Sequence, residues 1–163
     1  MDNAFVANLS IRRKIISMKK PVTLRDFLIA DNPKLKGKEP DYYARFRAGL
    51  RIAGEGLDFE EISRTLGLKA THTHRKGGKR KVDMWLYYAP VDRTRPLDEH
   101  IMAIWEAVRP QMTYLRQLKK RFKVDLCCGY QSNSCTGGFN VDHRCLGLFA
   151  ELDIPFGVSV IIV

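Results

Sequence analysis

The stretch Val82-Asp83-Met84-Trp85-Leu86-Tyr87-Tyr88 decides the fold. In an extended chain successive side chains point to opposite faces, so Val82, Met84, Leu86 and Tyr88 share one face and Asp83, Trp85 and Tyr87 the other. Neither face is polar. A run apolar on both faces is the pattern of a strand covered front and back, and the stretch is read as the central strand of a sheet. Trp85 is expected to be buried against the longest helix of the chain.

Working outward, Phe46, Ala48, Leu50 and Ile52 alternate with Arg45, Arg47, Gly49 and Arg51, which predicts a strand with one buried and one cationic face. Asp58 then opens a helix with an acid three residues on at Glu61, Ile62 and Leu66 share its apolar face, and Gly67 is placed to end it in a left-handed conformation. Beyond Pro90, the residues Ile101, Ile104, Trp105, Val108, Met112, Leu115, Leu118 and Phe122 recur at helical spacing. Pro96 suits the first turn of that helix. Pro110 interrupts it, which predicts a kink or two helices meeting at Arg109. Val124, Leu126, Cys128 and Tyr130 give a third strand. Asn140 is read as the cap of a helix carrying Cys145, Leu146, Phe149 and Leu152, and Phe156 to Val163 as another interior strand, pinned inside the sheet. The expectation is an α+β layered domain with a mixed sheet of about four main strands and three helices. A ferredoxin-like arrangement is preferred, with a more parallel α/β sheet as the alternative.

Composition agrees with one folded domain, because 163 residues with 45% hydrophobic and 28% charged side chains can bury a single sizeable core. The domain is placed at residues 41–163. Residues 1–40 are read as a basic extension: Thr23 could cap a short helix, Asp31 to Pro40 is a linker rich in charge, Pro and Gly, and Met18 is a plausible alternative start. That extension is expected to be protease-sensitive and dispensable, so that a chain begun at Asp41 still melts cooperatively. No apolar run approaches the roughly 18 to 20 residues that span a bilayer, no secretory signal is visible, and the cysteines fit reduced thiols. A cytoplasmic protein with no membrane contact is expected.

The net charge of +10 is the compositional outlier. It is concentrated in residues 1–40, 69–81 and 109–123, the footprint of an anionic partner or of a solvated face. The glycine-containing loop Arg75, Lys76, Lys79, Arg80 and Lys81 is one candidate binding segment, and Arg45, Arg47 and Arg51 on the first strand are another. The loop lacks the spacing and the following helix of a phosphate-binding P-loop. The cations near the end of the long helix also complement its dipole. His72 and His74 offer a metal two ligands and no local third, and Cys127, Cys128, Cys135, His143 and Cys145 match no common zinc spacing, so neither metal nor cofactor is expected. No catalytic set is singled out, and an enzyme with an unrecognised site ranks behind a binding role.

The order of short motifs resembles a known family. Phe46-Arg47, Ile52-Ala53-Gly54, Leu57-Asp58-Phe59-Glu60-Glu61-Ile62, Leu66-Gly67-Leu68, Thr71 before Arg75-Lys76-Gly77, Trp85, Leu97-Asp98-Glu99-His100 and Gly138-Phe139 together resemble the bacterial domain of unknown function 4279, over about residues 42–163. The resemblance transfers no activity and no catalytic residues. It implies a small standalone bacterial protein, and a protein-interaction module of immunity or defence type. The runner-up is a nucleic-acid or phosphate binder using the basic loop 75–81, although no aromatic residues interleave those cations in the sequence.

Overall fold

The structure, a computed structural model, describes residues 42–134 and 137–163. The readings made for residues 1–40 and for Cys135 lie outside the described residues. Strand β1 (Ala44–Gly54) holds the middle of a five-stranded sheet. Along one edge it pairs antiparallel with β4 (Lys123–Ser132), from Ala44 opposite Ser132 to Ala53 opposite Lys123. Along the other it pairs antiparallel with β3 (Asp83–Tyr88), from Gly49 opposite Tyr88 to Gly54 opposite Asp83. The short β2 (His72–His74) lies antiparallel beyond β3, and β5 (Val158–Ile162) runs parallel to β4, giving the order β2-β3-β1-β4-β5.

The expected α+β domain with a mixed sheet is therefore present, with five strands in place of about four. Its antiparallel pairs outnumber its single parallel pair, which removes the more parallel alternative. The preferred ferredoxin-like arrangement is present in the first four strands, which follow the β-α-β-β-α-β succession in the antiparallel order β4-β1-β3-β2, and β5 is an addition, parallel to β4 at its outer edge. Two strand positions also differ from expectation. The stretch around Trp85 is an interior strand, with antiparallel ladders to β1 on one side and β2 on the other, but the middle of the sheet belongs to β1. The final strand is not interior: Val160, Ile161 and Ile162 on β5 are 59%, 56% and 49% exposed, on both faces of a sheet edge. Apolarity on two faces reports an absence of charge, and strand position is set by pairing.

Helix α1 (Phe59–Leu66) has the expected ends: the Asp58 carboxylate accepts the Glu61 amide at 2.9 Å, and Gly67 closes the helix at φ +67°. The long helical pattern resolves into α2 (Leu97–Val108), a single 3-10 turn at Arg109–Gln111, and α3 (Met112–Lys119). This is the two-helix outcome that Pro110 predicts, since a proline cannot donate the helical hydrogen bond at that point. The last helix, α4 (Gly147–Leu152), follows a 3-10 turn over His143–Leu146. That turn is capped by Asp142, whose carboxylate accepts the Arg144 amide at 2.8 Å, and not by Asn140. At the start of α4 a Cβ on residue 147 would meet the Trp105 ring at 2.1 Å, so only glycine admits this contact between α2 and α4.

All four helices cover one face of the sheet. The core joins Phe46, Ala48, Leu50 and Ile52 of β1 to Val124, Leu126, Cys128 and Tyr130 of β4 and to the inward residues of the helices. Trp85 is fully buried on this face, as expected, but its indole nitrogen donates to Ser63 Oγ at 2.9 Å, which sets it under α1 where the longest helix was expected. His100 on α2 is also buried, 1% exposed, and neither ring nitrogen meets a partner at full hydrogen-bonding geometry. Desolvation dominates and pushes its pKa below the usual 6.5, while the backbone of Asp92 and Arg95 and the charges of Glu99 and Asp92 oppose that shift.

Two expectations follow from this core. Trp85→Ala should lower unfolding stability by about 3–5 kcal/mol, the usual loss on emptying an aromatic core site. A denaturant midpoint unchanged from the parent would contradict the placement of β3 under α1. For His100, the folded chain holds the neutral imidazole and the unfolded chain takes up a proton near pH 6.5, so stability is lost as pH falls from about 6.5 toward the lower native value. His100→Gln should flatten the loss measured by denaturation between about pH 7 and pH 5.5, leaving only the carboxylate-driven fall at more acid pH.

Candidate anion-binding face of the sheet

Because β1 alternates, its second face carries Arg45, Arg47, Gly49 and Arg51 away from the helices. Register brings to that face Met84, Leu86 and Tyr88 of β3, Asp125, Cys127, Gly129 and Gln131 of β4, and Ser159 and Ile161 of β5. None of these residues joins the core cluster under the helices, although Leu86 is itself buried, and among the described residues no helix covers them. His72 and His74 share the same face on β2, through pairing with Leu86 and Met84.

The arginines on this face are not equivalent. Arg51 is neutralised, because its Nε and Nη2 donate to the two oxygens of Asp125 at 2.8 and 2.7 Å, a fork on a fork. Arg47 lies over the Tyr88 ring, 4.4 Å from its centroid, and Arg45 over Tyr43 at 5.4 Å. Arg93 reaches the same end of the face from the loop after β3, held there by a 2.7 Å bond from the Phe46 amide to its own carbonyl. Its Nη2 donates to Gln131 Oε1 at 3.1 Å. Among the described residues no carboxylate forms an ion pair with Arg45, Arg47 or Arg93. Asp92, whose charge acts on Arg45, is held below the usual carboxylate range first by the Thr94 hydroxyl, which occupies its Oδ1 at 2.6 Å.

Between these side chains lies an open depression of about 220 Å³, lined by Arg45, Arg47, Tyr88, Arg93, Gln131 and Ile161, with Cys127, Gly129 and Ser159 beneath. Its floor is made by glycine. Over Gly49 the space is filled, since a Cβ there would meet the Tyr88 ring at 2.7 Å. Over Gly129 a Cβ would meet nothing within 4 Å. The Cys127 thiol donates to the Gly49 carbonyl at 3.3 Å, and burial pushes its pKa up, so it is a protonated group and a weak nucleophile at neutral pH. Burial likewise pushes Cys128 up to about 12 and Cys145 up to about 11. No group of His, Cys, Asp and Glu suited to hold a metal ion occurs among the described residues.

The second candidate segment, the basic loop, is a hairpin tip. Gly77 and Arg80 exchange two backbone hydrogen bonds at 3.0 Å around Gly78, which takes φ +56° as the first central residue of the turn. The expected cations divide in two. Arg75 donates to the Leu57 carbonyl, lies 3.9 Å over the Phe59 ring and stands 3.4 Å from the buried Asp83. Lys76 pairs with Glu55 at 2.8 Å. Lys79, Arg80 and Lys81 are exposed and form no ion pair among the described residues. Asp83 was missed by sequence reasoning, yet it ties three segments: its oxygens accept the amides of Gly56 at 2.9 Å, Leu57 at 3.2 Å and Lys76 at 2.7 Å. The bond from Lys76 contributes most to holding its carboxyl below the usual 3.8. A lone carboxylate in an otherwise apolar strand was the available signal. Arg93, Gln131 and Tyr88 were missed too, and only register and loop placement reveal them.

The family model described as Domain of unknown function (DUF4279) matches residues 44–162. The chain belongs to that family. No curated protein and no solved structure matches it. The matched span starts with β1 and ends with β5, so the family is this sheet with its helices. Among the described residues no helix is long and apolar enough to cross a membrane.

Asp83→Ala should lower the melting temperature and speed exchange of the Gly56, Leu57 and Lys76 amides, because each loses its acceptor. Equal exchange rates in parent and variant would show that the carboxylate does not hold the hairpin. The same group sets a pH limit: its folded pKa is depressed, so its contribution is complete above the unfolded value of about 3.8 and is lost as pH falls below it.

Proposed function

We propose that this protein is a binding module, not a catalyst, and that it holds an anionic partner on the uncovered face of its sheet. One observation carries the reading: Arg45, Arg47 and Arg93 converge from β1 and from the loop after β3, and among the described residues no carboxylate forms an ion pair with any of them. Cations so gathered repel one another, an arrangement that an incoming anion relieves. A role in immunity or defence within a bacterial cytoplasm, suggested by the family resemblance, is part of the same proposal. The hairpin takes a secondary place. Arg75 and Lys76 are spent on Leu57, Asp83 and Glu55, which leaves Lys79, Arg80 and Lys81 as a peripheral contact.

The test is retention on heparin across a salt series. Charge pairing with a polyanion makes log affinity fall with log salt, by about 0.7 to 0.9 per phosphate-like contact. Replacing Arg45, Arg47 and Arg93 with Gln should flatten that slope by about two to three contacts, with a melting temperature near the parent's because Arg45 and Arg93 are exposed, Arg47 is half-buried, and none of the three forms an ion pair among the described residues. Replacing Lys79, Arg80 and Lys81 should remove less. If the arginine variant elutes with the parent, the open face is not the binding surface.

A further inference from the structure

The depression above Gly129 has more in it than charge, and its shape narrows what an anionic partner brings there. Arg45, Gln131 and Ile161 form one cross-strand row, and Arg47, Gly129 and Ser159 the next. At the crossing of these rows and columns the side chain is absent at Gly129 alone, and the space above it is empty. A third row, Tyr88, Gly49 and Cys127, closes the far side, with the tyrosine ring filling its own glycine gap and bearing Arg47 on its face. The result is a notch with a flat wall of guanidinium on tyrosine, an aliphatic wall at Ile161, an amide at Gln131 and two further guanidinium groups at its mouth.

Its volume, about 220 Å³, exceeds what a bare phosphate or carboxylate needs, and its walls are mixed. Planar guanidinium groups and aromatic rings stack on bases, arginines fork onto phosphate oxygens, and an amide hydrogen-bonds a base edge. Gln131 is pre-positioned for that last task. Its Oε1 already accepts from Arg93, which turns its amide nitrogen into the free donor.

We infer that the notch over Gly129 takes one nucleotide, with its phosphate on Arg45 and Arg93, its base between the Arg47–Tyr88 wall and Ile161, and the Gln131 amide at the base edge. This rests on the reading of the open face as an anion-binding surface. A free nucleotide and one unit of a single strand present the same chemistry. The open face continues past Tyr88 to His72, whose ring meets the tyrosine edge-on at 6.0 Å, so that neighbouring units of a strand have a path along it.

The experiment uses the full chain and three probes: inorganic phosphate, thymidine monophosphate and a ten-residue oligothymidylate, each followed by amide chemical shifts. The monophosphate should shift the Arg47, Gly129 and Gln131 amides and bind at least about tenfold more tightly than phosphate. Oligothymidylate tighter again by about tenfold identifies a single strand as the source, and equal affinity identifies the free nucleotide. Gly129→Leu fills the notch at a position whose backbone is ordinary strand and whose Cβ meets no neighbour, so it should abolish nucleotide binding without lowering the melting temperature. Should that variant fold poorly, Gln131→Ala combined with Arg93→Gln changes only side chains at the rim and should cause the same loss. Nucleotide binding undiminished in these variants, or phosphate binding as tightly as nucleotide, overturns the inference. Heparin retention that still depends on Arg45, Arg47 and Arg93, with no nucleotide binding by the parent, also overturns it but leaves the open-face reading standing and points to an acidic protein.

Discussion

The alternation of β1 is the constraint on which the rest depends. Phe46, Ala48, Leu50 and Ile52 must leave water, and only a layer of helices on their side can take them. The same two-residue period then forces Arg45, Arg47 and Arg51 to the opposite side, where no layer can be built without burying guanidinium groups. Among the described residues, one-sided covering of the sheet is thus a consequence of this strand's pattern, and the open face is the other half of the decision that makes the core. A slip of one residue in either antiparallel ladder would exchange the two faces, which is why the long pairing with β4 matters more than any single contact.

Basic residues in this chain do at least two different jobs, and sequence density does not separate them. The hairpin looks like the strongest cluster, yet Arg75 acts as a clamp, with its guanidinium between the Leu57 carbonyl, the Phe59 ring and Asp83. In the cluster near the end of the long helical pattern, Arg116 pairs with Glu151, and Lys119 donates to the Leu152 and Asp153 carbonyls that close α4. These cations satisfy carbonyls that a helix end leaves free. On the open face Arg51 forks onto Asp125 and Arg93 donates to Gln131, while Arg45 and Arg47 lie over tyrosine rings and form no ion pair among the described residues.

Most of the architecture was legible because it follows from local rules. Asp58 and Gly67 bound α1 by capping, Pro110 parts α2 from α3, and the cationic face of β1 follows from counting by two. What was not legible depends on which strand lies next to which. Tyr88 is 41 residues from Arg47, and their stack exists only because Gly49 pairs with Tyr88 and leaves the ring room. The sequence shows no aromatic residues among its loop cations, while in space Tyr43, Tyr88 and His72 stand beside the face cations. Arg93 and Gln131 meet across 38 residues by the same kind of accident of register. The apolar last strand misled for the reverse reason, since Val160, Ile161 and Ile162 look like core until a neighbour is found on one side only.

That last strand gives the net charge a further physical meaning. An exposed edge of β-branched residues offers unpaired backbone groups to any other extended chain, and sheets usually protect such edges by shortness or by charge. The opposite edge follows the rule: β2 is three residues long and carries His72 and His74. Between Val158 and Val163 there is no charged side chain at all, and the strand itself supplies no guard. The formal charge of +10 adds a general repulsion between copies, at distances up to about a Debye length of 8–10 Å. On this argument the open face and the bare edge are linked. An anion held on Arg45, Arg47 and Arg93, as proposed above, would lower the net charge and with it the repulsion between copies at this edge.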